Sequence, residues 1–302
     1  MPFEKANDNY GAGRRCGDGR QRLSIITVCR NIVDKIGRTA ESIITQSVQD
    51  FEWIVVDGAS TDGTVDALLR VARDRINVLI SEPDRGIYDA MNKGIAVAKG
   101  DYLLFIDGGD ELHNAHVVDD CLPYLYKADL LHGCQHTLNA DGSFRSEYTL
   151  KGVKIDRTGF VFKRMPSHQA TFIKRELFTE LGPYDLQYKI LADRVFFSKA
   201  AWRGKSFRYI PVVVNNFYIG GISNNSDNSP LASEELRRRR MREYPVLFLL
   251  HRSRDLMWKS IWAAFDAAKR IRLVEDLLLK LKTNSKSVNI VAKWAADKRR
   301  KG

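Results

Sequence analysis

Two short acidic stretches carry the strongest chemical signal in the sequence. Asp57-Gly58 follows one apolar run and Asp107-Gly108-Gly109-Asp110 follows another. Glycine lets a backbone approach a phosphate closely, and carboxylates are the hard oxygen donors that magnesium or manganese prefers. Acids and glycines paired in this way suit an anionic ligand bridged by a divalent cation. A plainer reading stands beside this one. Asp57 and Asp62, in Asp57-Gly58-Ala59-Ser60-Thr61-Asp62-Gly63-Thr64, are also turn formers that bond their own backbone, and Asp110 with Glu111 can cap a following helix.

Other constellations fail on spacing. His132, Cys134 and His136 alternate along one strand-like run, and with His113 and His116 they form no compact ligand pair of the kind zinc requires. Gly11-x-Gly13 neither follows a strand nor opens a helix, so no dinucleotide fingerprint is present, and there is no phosphate-binding P-loop.

The acids gain meaning from the elements that must hold them. Leu23 to Cys29 has the continuous apolar pattern of a buried strand, and Ile36, Ala40, Ile43 and Ile44 follow at helical spacing. Strand Phe51 to Val56 then leads through the Asp57–Thr64 turn into a helix from Val65 to Arg73. A strand at Val78 to Ser81, a helix at Tyr88 to Ala98 and a strand at Tyr102 to Ile106 continue the alternation. Such alternation predicts a mostly parallel α/β sheet with flanking helices, and ligands bind such sheets at the carboxyl ends of the strands. Those ends carry Asp57, Glu82 to Arg85, and Asp107 to Asp110. Further on, the pattern predicts strands at Leu130 to Leu138, Phe144 to Thr149 and Arg208 to Val214, helices at Glu176 to Leu181 and Ala192 to Trp202, and a loop at Gly220 to Ser229.

Charge divides the chain of 302 residues sharply. Residues 231–302 hold 19 basic and 8 acidic side chains, whereas residues 1–230 hold 29 of each. The formal charge of +11 therefore belongs to a C-terminal basic helical extension, 231–302, where Met257, Ile261, Phe265 and Ala268 recur at helical spacing among lysines and arginines. This excludes a nucleic-acid-binding main body and leaves three parts: a flexible tail at 1–22, a neutral domain at 23–230 and the extension. Four cysteines without C-x-x-C spacing suit reduced thiols in a cytoplasmic protein, and neither a signal sequence nor a transmembrane run is expected.

Three ordered motifs carry a family resemblance across Leu23 to Ile222. Val55-Val56-Asp57-Gly58-Ala59-Ser60-Thr61-Asp62-Gly63-Thr64, then Ser81-Glu82-Pro83-Asp84-Arg85-Gly86-Ile87-Tyr88-Asp89-Ala90-Met91-Asn92-Lys93-Gly94, then Gly100-Asp101-Tyr102 leading to Asp107-Gly108-Gly109-Asp110 resemble the family 2 glycosyltransferases. The likeness is strongest to the branch of bacterial capsule, exopolysaccharide and colanic-acid synthesis. It implies the A-type glycosyltransferase (GT-A) fold.

What the resemblance implies can be placed on residues. Asp57 matches the acid that contacts the nucleotide base, with Thr27 and Arg30 in the same pocket. Asp84, Arg85 and Asn92 match the segment along the nucleotide-sugar, where an arginine neutralises diphosphate charge. Asp107 and Asp110 stand in the metal-binding motif for Mg2+ or Mn2+, although Gly109 occupies a position where the family usually has an acid. Ser167-His168-Gln169-Ala170-Thr171-Phe172 and Leu191-Ala192-Asp193 resemble the acceptor half. Asp193 there inherits the general-base role, and His168 is placed against the diphosphate or the acceptor.

The implied activity is an inverting, metal-dependent transfer of a sugar from a nucleotide-diphosphate donor to a hydroxyl of a lipid-linked or free saccharide acceptor. The basic extension would dock the enzyme, as a peripheral protein, on the inner face of the cytoplasmic membrane, or pack against the domain or a second copy. The alternatives are a sugar-phosphate nucleotidyltransferase, which would carry a Gly-rich phosphate loop after the first strand where this chain has Cys29-Arg30-Asn31-Ile32, and a non-catalytic nucleotide-sugar-binding protein.

Overall fold

Leu23–Cys29 forms β1 with all seven residues buried, because both faces of this strand are covered by helices. The computed structural model describes residues 22–153, 155, 165–219 and 234–235. The expectations for the tail, the loop at Gly220 to Ser229 and nearly all of the extension therefore lie outside the described residues.

The elements alternate as the apolar spacing predicts. β1 is followed by α1 (Val33–Ile44), β2 (Glu52–Asp57), α2 (Thr64–Ala72), β3 (Val78–Ser81), α3 (Ile87–Val97) and β4 (Tyr102–Phe105). Then come β5 (Glu111–Leu112), α4 (Val117–Cys121), β6 (Leu130–Leu138), β7 (Phe144–Tyr148), β8 (Thr171–Lys174), α5 (Glu176–Leu181), α6 (Ala192–Trp202) and β9 (Phe207–Tyr218).

Among the described residues these strands form one sheet in the order β3-β2-β1-β4-β8-β6-β9-β5, with β7 added on β6. β3, β2, β1 and β4 run parallel, with Thr27 beside Val55 and Ile26 beside Phe105. Beyond β4 the sheet is mixed rather than mostly parallel: β4–β8, β8–β6, β6–β7 and β5–β9 are antiparallel, and β6–β9 is parallel. The tight turn between β6 and β7 permits only an antiparallel return, which accounts for one of these reversals.

Two apolar layers sandwich the sheet. On one face Ile36, Ala40 and Ile43 of α1 and Leu68 of α2 share a core with Ile25, Trp53 and Val55. On the other, Ala90 and Met91 of α3 and Val195, Phe196 and Phe197 of α6 share a core with Ile26, Val28, Ile54, Val56 and Phe105. Each fully buried side chain of this size contributes roughly 1.5–3 kcal/mol. Gly94 lets α3 approach β1 closely, since a Cβ there would sit 2.6 Å from Ile26 Cγ2.

Candidate active site

The loop between β2 and α2 starts a helix other than the one it precedes. Ile32, the residue before α1, has no capping side chain, so the first N–H groups of that helix need outside acceptors. Thr64 Oγ1 accepts from Ile32 N–H at 2.8 Å and Asp62 Oδ2 from Val33 N–H at 3.0 Å, while Ser60 Oγ accepts from Asn31 N–H at 2.8 Å. Asp62 also accepts from Thr64 N–H, the turn-forming role of an Asx residue. This loop therefore fixes Arg30 to Ile32 at the carboxyl end of β1.

A cleft of about 490 Å³ opens there. Its lining includes Arg30, Lys35, Arg38, Asp84, Asp107 and Asp110, together with Ile87 and Ala90 of α3 and Tyr218 of β9. Three cations around two acids suit a ligand that is anionic and accompanied by a cation of its own.

The acidic pair has a distinctive geometry. The Gln169 amide Nε2 donates to Asp107 Oδ2 at 3.0 Å and to Asp110 Oδ2 at 2.9 Å, and Asn215 Nδ2 holds the other end of Gln169 at 3.1 Å. Asp110 Oδ1 accepts from Tyr218 N–H at 2.8 Å. Asp107 Oδ1 is buried and has no partner. Burial, then the adjacent Asp110 carboxylate, pushes Asp107 up to about 7; burial pushes Asp110 up to about 6, opposed by the bonds from Tyr218 and Gln169 and by Arg38.

A divalent cation fits these residues. A buried carboxylate oxygen with no donor is costly, and a hard cation relieves both that cost and the like-charge repulsion. Among the described residues no cluster of three or more His, Cys, Asp or Glu side chains can hold a metal, and phosphate oxygens or water can complete the shell of a hard cation.

Asp193, in the first turn of α6, and His168 are not among the residues that line this cleft, although the Asp193 charge acts on Asp107. The helix is preceded by Leu191 rather than by Asp193, so Asp193 is not its cap. Tyr88, at the start of α3, shares its one hydroxyl proton between Asp193 Oδ1 at 2.8 Å and the Ile190 carbonyl at 2.6 Å. Burial first, then Asp193, raises the Tyr88 pKa well above its ordinary value, so it remains a donor. His168 stacks on Phe105 at 4.7 Å, and its Nε2 meets the Tyr184 hydroxyl at 2.7 Å. Burial lowers the His168 pKa, with Asp193 opposing, which keeps the ring neutral near pH 7.

Four residues expected at the nucleotide do not line the cleft. Thr27 is fully buried and accepts from the Trp53 indole N–H at 3.0 Å, on the helix-covered face of β1. Asp57 is fully buried too: it accepts from Ser60 N–H at 3.0 Å, from the Ser60 hydroxyl and from the Ser81 hydroxyl at 2.7 Å, so its carboxylate braces the turn. The Arg85 side chain is 78% exposed and pairs with Asp89 at 3.0 Å, which turns it along α3. Both ends of the Asn92 amide are occupied by the Tyr184 backbone at 2.9 Å, tying α3 to the segment before α6. Arg30 and Asp84 do lie on the cleft.

Several residues absent from the sequence-based set belong to the same place. Lys35 and Arg38 stand three apart on α1 and so share a helix face, a signal present in the sequence once α1 is known to border the site. Gln169, in the 3-10 turn His168–Ala170, and Asn215 of β9 come from segments far apart in the chain, and nothing local identifies them.

Comparison with known proteins bears on the fold and the family. The family model described as Glycosyl transferase family 2 matches residues 24–182. A Mycobacterium bovis protein named PGL/p-HBAD biosynthesis glycosyltransferase is 36% identical over 212 residues, which span 67% of this chain and 79% of that protein. Among solved structures, S. aureus TarS 1-349 in complex with UDP superimposes with a TM-score of 0.54 at 17% identity, covering 74% of this chain and 72% of that one. The mannosyltransferase PcManGT from Pyrobaculum calidifontis, in complex with GDP-Man and Mn2+, gives a TM-score of 0.55 at 18% identity, covering 98% and 83%. At such identities the two structures speak to the fold alone, and they share the GT-A architecture.

Proposed function

The chain belongs to glycosyl transferase family 2 and is a glycosyltransferase, and on that premise we propose that it is an inverting enzyme using a nucleotide-diphosphate sugar as donor. The observation that carries this reading is the pairing of Asp107 and Asp110 beneath a cation-lined cleft, with one buried carboxylate oxygen left free for a ligand.

In this reading Arg30, Lys35 and Arg38 draw the diphosphate into the cleft, and Asp84 flanks the nucleotide-sugar. Asp107 and Asp110 would hold Mg2+ or Mn2+, which would supply positive charge to the diphosphate leaving group. Asp193 takes the proton from an acceptor hydroxyl. That oxygen forms a bond to the anomeric carbon as the bond from this carbon to the diphosphate oxygen breaks, so one in-line displacement inverts the anomeric configuration. The Tyr88 hydroxyl donates to Asp193 and orients its carboxylate. Neutral His168 contacts Tyr184 and supports the acceptor side without competing for the proton.

The test has two parts. A panel of UDP- and GDP-sugars is screened by thermal shift with Mn2+ and with EDTA, because binding to the native state raises the melting temperature. Asp193→Asn is then assayed with the donor found, against saccharide and lipid-linked saccharide acceptors. The proposal expects transfer to fall by at least about a thousandfold with donor binding preserved; full transfer by Asp193→Asn moves the base elsewhere.

The acceptor is proposed to be lipid-linked and to lie at the cytoplasmic leaflet, with the basic segment 231–302 on the anionic surface. No helix among the described residues is long and apolar enough to cross a membrane. Sedimentation with vesicles containing 30% or so of anionic lipid compares the full chain with one ending at Pro230. Equal binding by both removes the idea.

A further inference from the structure

The turn that delivers Asp193 is held by a residue remote in sequence. Lys189, Ile190 and Leu191 immediately precede α6, and their N–H groups point away from that helix's own acceptors. Leu191, at the capping position, has no side-chain oxygen. The Glu235 carboxylate fills this deficit: Oε1 accepts from Lys189 N–H at 2.8 Å, and Oε2 accepts from Ile190 N–H and Leu191 N–H at 3.2 Å each. Glu235 is only 6% exposed, so water does not compete for these bonds.

The same turn meets α3 through a carbonyl group. The Ile190 carbonyl accepts the Tyr88 hydroxyl at 2.6 Å, and that hydroxyl also reaches Asp193 at 2.8 Å. Glu235, the backbone of Ile190, Tyr88 and Asp193 thus form one connected set. A negative charge before the first turn of α6 also complements the helix dipole.

We infer that Glu235 is a positioning residue for Asp193, acting through the 189–191 turn, and that it is needed for turnover rather than for donor binding. The inference rests on the reading of Asp193 as general base. Loss of the carboxylate frees the turn, and displacement of a base by about 1 Å costs on the order of a hundredfold in rate.

The experiment uses the full chain and the nucleotide sugar that most raises its melting temperature, with Mn2+, following release of the nucleoside diphosphate. Glu235→Gln, Glu235→Asp, Tyr88→Phe and the double variant Glu235→Gln with Tyr88→Phe are compared. Hydrogen exchange of residues 189–191 is measured in each. Glu235→Gln is expected to speed that exchange at least tenfold and to lower kcat about 10- to 50-fold with donor KM within twofold. Glu235→Asp, which keeps the charge, recovers most of the loss. The double variant loses less than the product of the single losses, because both changes act on one set of contacts. Wild-type kcat in Glu235→Gln, equal losses in kcat and donor affinity, or strict additivity with Tyr88→Phe each overturns the inference. Asp193→Asn separates the two readings: if it is inactive while Glu235→Gln is unimpaired, only the Glu235 role fails, and if it is fully active the base assignment itself fails.

Discussion

The Tyr88 hydroxyl and the Asp193 carboxylate meet at 2.8 Å across 105 residues of sequence. Tyr88 opens the helix whose Ile87 and Ala90 line the cleft, and Asp193 lies in the first turn of α6. One hydrogen bond therefore joins the two halves of the proposed site.

Tyr88→Phe removes the hydroxyl that ties Asp193 to the Ile190 carbonyl. The turnover number is expected to fall about tenfold with donor KM within twofold, because a misplaced base costs rate rather than binding. Wild-type kcat in the variant would show that the bond does not position the base.

Asp107 and Asp110 differ in how much of each carboxylate is available. Both oxygens of Asp110 are engaged, by Tyr218 N–H and by Gln169, whereas Asp107 Oδ1 is unpartnered. Asp107→Asn is accordingly expected to abolish the Mn2+-dependent rise in melting temperature, and Asp110→Asn to reduce it. Asp107 is raised to about 7, so below that pH a cation must displace a proton. Mn2+ should raise the melting temperature more at pH 8 than at pH 5.5. An equal or reversed response at the two pH values would count against a site at this carboxylate.

How far the sequence carried the assignment depends on the range over which each residue acts. β1, β3, β6, α5 and α6 have the bounds that apolar spacing predicts, because buried strands and amphipathic helices are written in local pattern. β5, with two residues, is too short for a periodic signal and exists through pairing with β9, while β8 is held between β4 and β6. β9 runs to Tyr218 rather than Val214, since its last residues pair with β6 and β5 despite their polar character.

At the site, the cleft-lining acids were legible as strand-end motifs. The motifs did not say which side chains turn inward. Asp57 and Asp62 share the same loop chemistry, and both are consumed by backbone donors and hydroxyls. The Gln169–Asn215 support and the Glu235 brace each join segments about 45 residues apart, a distance over which no local spacing is informative.

His132 offers a separate test, in stability. It is buried on β6, its Nδ1 has no partner, and burial lowers its pKa from 6.5 to about 4. The unfolded chain takes up a proton as pH falls below about 6.5, whereas the folded chain resists until about 4. Stability is therefore fully present above 6.5 and declines between those values, by on the order of 2–3 kcal/mol. His132→Leu removes this contribution, and its unfolding free energy by urea denaturation should fall less steeply over pH 6.5 to 4 than that of the parent. Identical slopes would mean that His132 is protonated as readily in the native state as in the unfolded one.

Gly109 stands where the family usually places an acid, and the backbone explains what restoring that acid would do. Its φ is 102°, a region disfavoured for residues with a Cβ, although a Cβ there would meet Lys35 only at 3.6 Å. The obstacle is conformational, not a lack of space. Meanwhile the Asp107–Asp110 turn, closed by Asp110 N–H to the Asp107 carbonyl at 3.0 Å, brings Asp110 back to share Gln169 with Asp107. Gly109→Asp should therefore cost about 1–2 kcal/mol, a fall of several degrees in melting temperature, and give no gain in Mn2+ response or turnover. The added carboxylate lies beside Lys35 and would draw that cation away from the cleft, lowering donor affinity further. Calorimetric melting with and without Mn2+, combined with donor titration, checks all three expectations. An unchanged melting temperature together with a tenfold tighter Mn2+ response would show instead that this loop relaxes into the usual acidic form and that Asp110 is not the second acid of the site.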